Sequence, residues 1–228
     1  MSIAIAVKCS DGVVMGGDGI SEAQCLDHSG NPMRTACSFA EKLELIDGRV
    51  IVAGVGDYSL IQRFGYVVRR LWRKKGFLQD EYYCGKKLSH DAIEDFRETE
   101  LAEFLFSGYA AFPLNNDVHL VQYNLHGIQP LWIKKPKIWT TCGAAQPITD
   151  PFMAYMDRIL FKRKVPTMEQ ALLAVAWSLK LSIESLPGNV GWPIQLATCT
   201  TKQARLLDDD EINQYLSRVE GKEELMAS

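Results

Sequence analysis

The chain opens with the sequence MSIAIAVKCSDGVVMGGD, residues 1 to 18. Residues 2–8 form an apolar run typical of a β-strand, Ser10-Asp11-Gly12 supplies turn residues, and residues 13–18 form a second short run that ends in an acid. This pattern predicts a β-hairpin whose first strand starts at the second residue. Chain termini usually fray, so a terminus held inside a sheet points to a role for Ser2, a small hydroxyl residue.

The remainder of the chain predicts alternating blocks of strands and helices. Residues 20–37 are rich in Ser, Gly, Asn and Pro and predict a long loop. Two strands then meet at Asp47-Gly48, a strong hairpin turn, and a helix follows Ser59. A second helix is predicted from Ser89, followed by four strands, Phe104–Phe112, Val118–Tyr123, Pro130–Ile133 and Lys137–Cys142, with turns at 115–117 and His126-Gly127. Two helices come next, one at Asp150–Phe161 and one that begins with a capping box at Thr167. A strand at Ile194–Thr198 and a helix from Asp208 complete the predicted elements.

This order of elements indicates a fold class. Blocks of strands separated by pairs of amphipathic helices favour two stacked antiparallel sheets between helix layers, whereas strict alternation would predict a parallel sheet. We therefore predict an α+β protein with a four-layer α/β/β/α sandwich. A chain of 228 residues fits one domain over 1–228, with residues 20–37 as a loop insertion.

Composition excludes several classes of function. The net charge of −3 argues against a dedicated nucleic-acid-binding protein, which needs a basic excess to contact phosphates. No apolar run approaches the ~18 residues that span a membrane. The short N-terminal apolar run lacks a basic leader, so we expect no signal peptide and a cytoplasmic location.

The six cysteines and four histidines do not form a metal or disulfide pattern. The cysteines are widely spaced, no CxxC occurs, and the histidines lack the spacing of a zinc site. We therefore expect no metal and no cofactor.

Several stretches of the sequence, taken together and in order, resemble the proteasome β-type N-terminal nucleophile (Ntn) hydrolases, and especially the bacterial heat-shock-locus (HslV-like) peptidase. The ungapped spacing from Ser2 to Asp18 is the most specific part of the resemblance. The matching stretches are residues 2–8, 12–19, 42–46, 53–56, 156–158 and 191–196.

The resemblance implies a catalytic role for particular residues. Ser2 takes the nucleophile position, where the family usually has Thr, and its α-amine, free once Met1 is removed, would be the base. Such an amine titrates near 8 and suits proton transfer at neutral pH. Lys42 takes the position of the family lysine and Asp18 that of the acid paired with it. The oxyanion amide would belong to Gly56, with Gly54 as the alternative.

Three further positions depart from the family pattern. Cys142 takes the place of a helper serine, and a thiol is a poorer hydrogen-bond donor than a hydroxyl. Pro187 and Val190 align with an acid and a serine of many proteasome β subunits, although the heat-shock-locus peptidases also differ there.

The family implies hydrolysis of unfolded proteins or peptides in a homo-oligomeric ring, fed by an ATP-dependent unfoldase. Two alternatives are an inactive ring or scaffold subunit and an Ntn amidase acting on a small amide.

Overall fold

Two antiparallel sheets form the centre of the molecule. The computed structural model describes residues 2–26, 29, 32–74, 78–97, 106–123 and 129–227, and within 22–26 and 32–37 it describes the backbone. The elements in chain order are β1 (Ile3–Lys8), β2 (Val13–Gly17), β3 (Ile20–Leu26), β4 (Pro32–Phe39), β5 (Leu43–Ile46), β6 (Val50–Gly56), α1 (Tyr58–Trp72), α2 (Glu81–Arg97), β7 (Phe106–Leu114), β8 (Asp117–Tyr123), β9 (Pro130–Trp132), β10 (Trp139–Gly143), α3 (Gln146–Ile159), α4 (Met168–Ser185), β11 (Gln195–Cys199), β12 (Ala204–Leu206) and α5 (Asp209–Ala227).

The four-layer sandwich predicted from the sequence is confirmed. One sheet has the order β10-β1-β2-β11-β12 and the other β5-β6-β7-β8-β9. Alternate residues of β1 face opposite sides: Ile3 and Ile5 pack against α3 and α4, whereas Ala4 and Ala6 face the second sheet. Helices α1 and α2 cover the outer face of that second sheet. Each sheet is therefore buried on both faces, and the strand that follows Ser2 lies at the centre of the protein.

The prediction of a long loop over residues 20–37 is wrong. The backbone forms a two-stranded hairpin, β3 and β4, with Ile20 opposite Phe39 and Leu26 opposite Pro32. The pairing shifts register between Glu22 and Gln24. A strand is recognised in a sequence by the strict alternation of apolar and polar residues. This segment is rich in polar residues, and its pairing shifts register, so no such alternation is present. Backbone pairing therefore forms where the sequence pattern indicates none.

Other predicted elements are present with different limits. Helix α2 begins at Glu81 rather than Ser89, and Asp80 accepts a hydrogen bond from the Tyr83 N–H (2.8 Å) at its start. Helix α3 begins at Gln146 rather than Asp150, with a proline in its first turn. The short strand β12 was not predicted. The start of the predicted strand at Phe104 and the turn at His126-Gly127 lie outside the described residues.

Two local signals gave correct elements. Asp47 and Gly48 adopt the positive φ angles, 49° and 62°, that a tight hairpin turn requires, and they connect β5 to β6. Thr167 forms the predicted capping box with Gln170 at the start of α4. None of the described helices combines the length and the apolar character needed to cross a membrane.

Candidate active site

Ser2 is held firmly at the entrance of β1. The residue is buried, with 8% relative exposure. Its carbonyl oxygen accepts a hydrogen bond from the Ala144 N–H (2.7 Å). The backbone comes so close here that a Cβ on Gly143 would lie 2.1 Å from the Ser2 oxygen, and Gly143 has a φ of 119°. Glycine is therefore required at position 143, and the turn after β10 fixes the backbone of Ser2.

Asp18, directly after β2, is fully buried and surrounded by backbone donors. Its Oδ1 accepts a hydrogen bond from the Ile3 N–H (3.0 Å), which ties it to the residue after Ser2. Its Oδ2 accepts longer bonds from Gly191 (3.3 Å) and Ile20 (3.4 Å). Burial raises the pKa of this carboxyl group, while the Lys42 cation and the backbone N–H groups oppose that rise.

Lys42 connects the two polar residues. It lies just before β5, and its side chain is 3% exposed. Its Nζ donates a hydrogen bond to the Ser2 Oγ and lies 3.8 Å from Asp18 Oδ1. Burial lowers the pKa of this amine, and the negative charge of Asp18 opposes the decrease. Ser2, Lys42 and Asp18, which the sequence analysis assigned to one site, are thus brought together in a buried cluster.

This cluster has the chemistry needed to activate a hydroxyl group. A serine hydroxyl is a weak nucleophile until a neighbouring group accepts its proton or stabilises its negative charge. An amine at hydrogen-bond distance can do either, depending on its protonation state. Because Lys42 Nζ contacts both Ser2 Oγ and Asp18 Oδ1, the amine has a defined position. The roles of the three side chains in catalysis remain predictions.

Gly56 is located at the exposed end of β6, with a φ of 113°. The pairing of β5 with β6 ends at Leu43 and Ala53 and does not extend to Gly56. Gly54, the alternative, lies within the buried strand, opposite Gly108 in β7 and close to Ile61 of α1. The end of the strand is the more accessible place for a backbone donor. The oxyanion role of Gly56 stays a prediction.

Cys142 lies in β10, within the core between the two sheets. It is opposite Ala4 in the pairing of β10 with β1. Burial raises the pKa of its thiol to about 12, and the Tyr109 side chain is its neighbour. Among the described residues, the hydrogen-bond partners of Ser2 do not include Cys142. Its helper role stays a prediction.

The segment after α4 contributes backbone to the site in place of side chains. Val190 is buried in the core formed with α3 and α4, and Pro187 is exposed. The next residue, Gly191, donates its N–H to Asp18 (3.3 Å) and accepts from the Gly19 N–H (2.9 Å). Sequence comparison of side chains could not reveal this contribution, because it depends only on where the backbone runs.

Gln195, at the start of β11, is a site residue whose role sequence reasoning missed. Its side-chain Oε1 accepts a hydrogen bond from the backbone N–H of Lys42 (2.9 Å). The one feature of the sequence that pointed to Gln195 was its place within residues 191–196, one of the stretches that carried the family resemblance. No side-chain role could be assigned from that position.

A cavity of about 340 Å³ lies beside Lys42, between β5 and helix α1. Its wall contains the ion pair of Glu44 with Arg69, and burial raises the pKa of the Glu44 carboxyl. The lining residues are Glu41, Lys42, Leu43, Glu44, Val52, Tyr58, Ile61, Gln62, Tyr66 and Arg69.

Among the described residues, the group that could offer several ligand atoms to a metal is on the surface of α2. His90, Asp91 and Glu94 place their ligand atoms within 4.8 Å of one another. Asp91 already pairs with Lys87 at 2.6 Å and with Arg70 at 3.5 Å. Because these cations compensate the buried carboxylate, the group is adequately explained as a surface ion-pair network.

The two stacked antiparallel sheets between helix layers have the architecture of the proteasome-like Ntn fold. Three solved structures with this fold are similar to the chain. Anbu (ancestral beta-subunit) from Yersinia bercovieri has a TM-score of 0.73 and 17% identity, covering 99% of this chain and 95% of that one. The helical assembly of the Anbu complex from Pseudomonas aeruginosa has a TM-score of 0.72, 16% identity and the same coverage. An Anbu mutant from Hyphomicrobium sp. strain MC1 has a TM-score of 0.69 and 14% identity, covering 100% and 97%.

These comparisons correct the expected resemblance to the heat-shock-locus peptidase. The three structures named above are Anbu proteins, which form a distinct proteasome-like family. The sequence matches no family model and no curated protein. The stretches used for the resemblance build the first hairpin, the lysine position, the end of β6, one turn of α3 and the segment that leads into β11. Proteasome-like folds share these features, so the stretches identify the fold and do not separate its families.

Proposed function

We propose that this protein is an Ntn hydrolase that cleaves amide bonds with the Ser2 hydroxyl as nucleophile. The observation that carries the proposal is the hydrogen bond from Lys42 Nζ to Ser2 Oγ inside a buried site that also holds Asp18. A solvent-exposed lysine and serine would gain little from such a contact. Here both side chains are enclosed, and the backbone on either side is fixed.

Before the reaction, an aminopeptidase hydrolyses the bond between Met1 and Ser2, which releases Met1 and frees the α-amine of Ser2. This amine accepts the Oγ proton while Oγ attacks the substrate carbonyl. Lys42 stabilises the negative charge that develops on Oγ, and Asp18 holds Lys42. The oxyanion of the tetrahedral intermediate is stabilised by the N–H of Gly56. The intermediate then expels the substrate amine, which takes the proton, and water hydrolyses the resulting ester.

Peptide bonds are the proposed substrate, in unfolded proteins or short peptides. The cavity beside Lys42 has room for a substrate side chain and carries both apolar and charged groups. An extended peptide also has backbone groups that can pair with strand ends near the site.

Self-association is the second part of the proposal. The similar Pseudomonas protein forms a helical assembly, and we propose that this chain also assembles with copies of itself. Analytical ultracentrifugation should find particles several times larger than the 25.6 kDa chain. A protein that stays monomeric at micromolar concentration would contradict this part. An ATP-dependent unfoldase partner stays a prediction.

The hydrolase proposal can be tested with a peptide epoxyketone. The Ser2 hydroxyl adds to the ketone and the α-amine opens the epoxide, so the adduct forms only if both groups are available. We expect intact-mass spectrometry to show a chain that begins at Ser2 and gains one reagent mass. Ser2→Ala should abolish the adduct and peptide hydrolysis.

Ser217→Ala, a change at an exposed serine on α5, is the matched control and should keep both activities. Retention of Met1 in all molecules, or hydrolysis that survives Ser2→Ala, would refute the proposed mechanism. Assembly without adduct or hydrolysis would instead support the scaffold alternative. Hydrolysis of small amides by a monomer that leaves peptides intact would support the amidase alternative.

A further inference from the structure

The backbone that carries Lys42 is not part of a strand. Strand β4 ends at Phe39 and β5 begins at Leu43, so Lys42 lies in a short irregular linker. At the start of this linker, the Ala40 N–H donates to the Gly19 carbonyl (2.9 Å). The position of the Lys42 amine therefore depends on contacts other than a β-ladder.

The side chain of Gln195 supplies these contacts. Its Oε1 accepts hydrogen bonds from the backbone N–H groups of Lys42 (2.9 Å) and Leu43 (3.4 Å). Its Nε2 donates to the Ala40 carbonyl (2.7 Å). One amide group thus satisfies a donor and an acceptor of the linker, as a neighbouring strand would. The roles of its oxygen and nitrogen follow from the backbone groups they face.

Gln195 also connects the linker to the strand that precedes Asp18. The backbone of Gln195 is paired with Gly17 of β2. A Cβ on Gly17 would lie 3.0 Å from the Lys42 Cβ, so the lysine packs closely on this glycine. Gln195 therefore fixes Lys42 relative to the same strand end that holds Asp18, which sets the separation between the two charges.

We propose that Gln195 is a positioning residue that holds Lys42 against Ser2 for the reaction, an inference that rests on the proposed hydrolase function. Gln195 acts through the backbone of Lys42 and does not touch the reacting atoms. Lys42 and Gln195 are separated by 153 residues in sequence number, so only the folded chain shows this role.

The first measurement is independent of activity. Gln195→Met keeps the length of the side chain but removes both hydrogen-bonding groups. We expect amide hydrogen exchange at Lys42, followed by mass spectrometry of overlapping peptides, to become at least about tenfold faster. Gln214→Met, at an exposed position on α5, is the matched control and should leave this exchange unchanged. Gln195→Glu retains an acceptor for the Lys42 N–H and loses the donor to Ala40, so its exchange should be intermediate.

The second measurement concerns catalysis. Displacing a catalytic group by about 1 Å can cost ~10²-fold in rate, and we expect Gln195→Met to lower kcat and the rate of epoxyketone addition by about 10- to 100-fold. KM should change less than about twofold because the substrate contacts remain. Gln195→Glu should recover part of the rate if the variant folds with an unchanged circular dichroism spectrum.

The outcomes separate this inference from the proposed function. Unchanged exchange at Lys42 in Gln195→Met overturns the inference, as does faster exchange with an unchanged kcat and adduct rate. A rise in KM at constant kcat would also overturn it, since that result assigns Gln195 to substrate binding. If the wild-type protein forms no adduct and hydrolyses nothing, the hydrolase proposal fails, and the exchange measurement still decides whether Gln195 holds Lys42.

Discussion

The central residues of the site are two opposite charges that are almost completely removed from water. Asp18 is 0% exposed and the Lys42 side chain 3%. Burying either charge alone is costly, and the attraction between them offsets part of this cost only while both are present. The arrangement is therefore expected to limit stability, which is consistent with a role other than holding the fold together.

The dependence of each charge on the other gives a prediction for Lys42→Met. In this variant, backbone N–H groups are the remaining contacts that stabilise the buried Asp18 carboxylate. Removing one partner of a buried ion pair typically costs about 3 kcal/mol of unfolding free energy, and we expect such a loss at pH 8. Burial raises the pKa of Asp18, and removal of the cation raises it further. A carboxyl group with a raised folded-state pKa favours folding most below its unfolded pKa, and this contribution is lost as the pH rises through the folded value.

The loss of unfolding free energy caused by Lys42→Met should therefore become smaller as the pH is lowered from 8 towards ~4, the ordinary range of an Asp carboxyl. Urea denaturation of the variant and the wild type at several pH values measures it. Lys134→Met is the matched control, because the Lys134 side chain is 66% exposed and its ion pair with Glu81 (3.0 Å) is on the surface. We expect that change to cost less than about 1 kcal/mol. A deficit of Lys42→Met that grows on acidification would contradict the argument.

At the scale of single elements, helix α4 shows how a local signal and tertiary packing combine. The Thr167 side chain accepts from the Gln170 N–H (3.3 Å), and the Gln170 side chain accepts from the Thr167 N–H (3.0 Å). These bonds satisfy donors at the helix start that would otherwise lack partners. The helix then buries Leu172, Val175 and Leu179 against the first sheet.

Thr167→Ala removes the acceptor of this capping box. We expect it to lower the free energy of unfolding by about 1 kcal/mol, measured by urea denaturation at neutral pH. The exposed Thr201, in the turn between β11 and β12, is the control, since Thr201→Ala keeps the backbone carbonyl that accepts from Arg49 (3.2 Å). Equal effects of the two substitutions would show that the cap contributes nothing.

Helix α2 illustrates why some element limits could not be predicted. Its first part contains Gly85, and glycine has a low helix propensity, which disfavours a helix in a prediction from sequence. In the folded chain, a Cβ at this position would lie 2.7 Å from the ring of Trp132 in β9. The glycine therefore allows the helix to pack closely on the second sheet, and this contact joins residues far apart in the sequence.

At the scale of the whole molecule, the described residues form three hydrophobic cores, one between the sheets and one under each helix layer. The cysteines at positions 9, 84, 142 and 199 are distributed among these cores and are all buried. Burial raises the pKa of Cys9, Cys142 and Cys199 to about 12. The pKa of Cys84 is also raised by burial.

Because the thiolate is the reactive form of cysteine, we expect these four residues to resist iodoacetamide at pH 8 in the native protein. They should react rapidly once urea unfolds the chain. Mass spectrometry of the individual peptides measures each site, with N-acetylcysteine in the same solution as the reference thiol. Rapid native labelling of any of the four would show that its core opens locally without global unfolding.

The sequence by itself determined the α+β class, the four layers and the hairpin that leads from Ser2 to Asp18. Hydrophobic alternation, turn residues and capping boxes are local properties, so these features can be recognised before folding. The sequence also placed Ser2, Asp18 and Lys42 in one site, because the resemblance to a known fold supplied their spatial relation. It could not separate the Anbu proteins from the heat-shock-locus peptidase, since the motifs in question belong to the fold they share.

Only the tertiary structure decided how these residues are held. Gly143 approaches the Ser2 carbonyl, Gly191 donates its N–H to Asp18, and Gln195 binds the backbone of Lys42. Each contact joins segments distant in sequence, and each involves a backbone group that every residue carries. A backbone N–H has no sequence signature, and its position depends on the packing of the whole chain. The sequence therefore indicates which side chains meet, and the folded backbone determines the distances at which they meet.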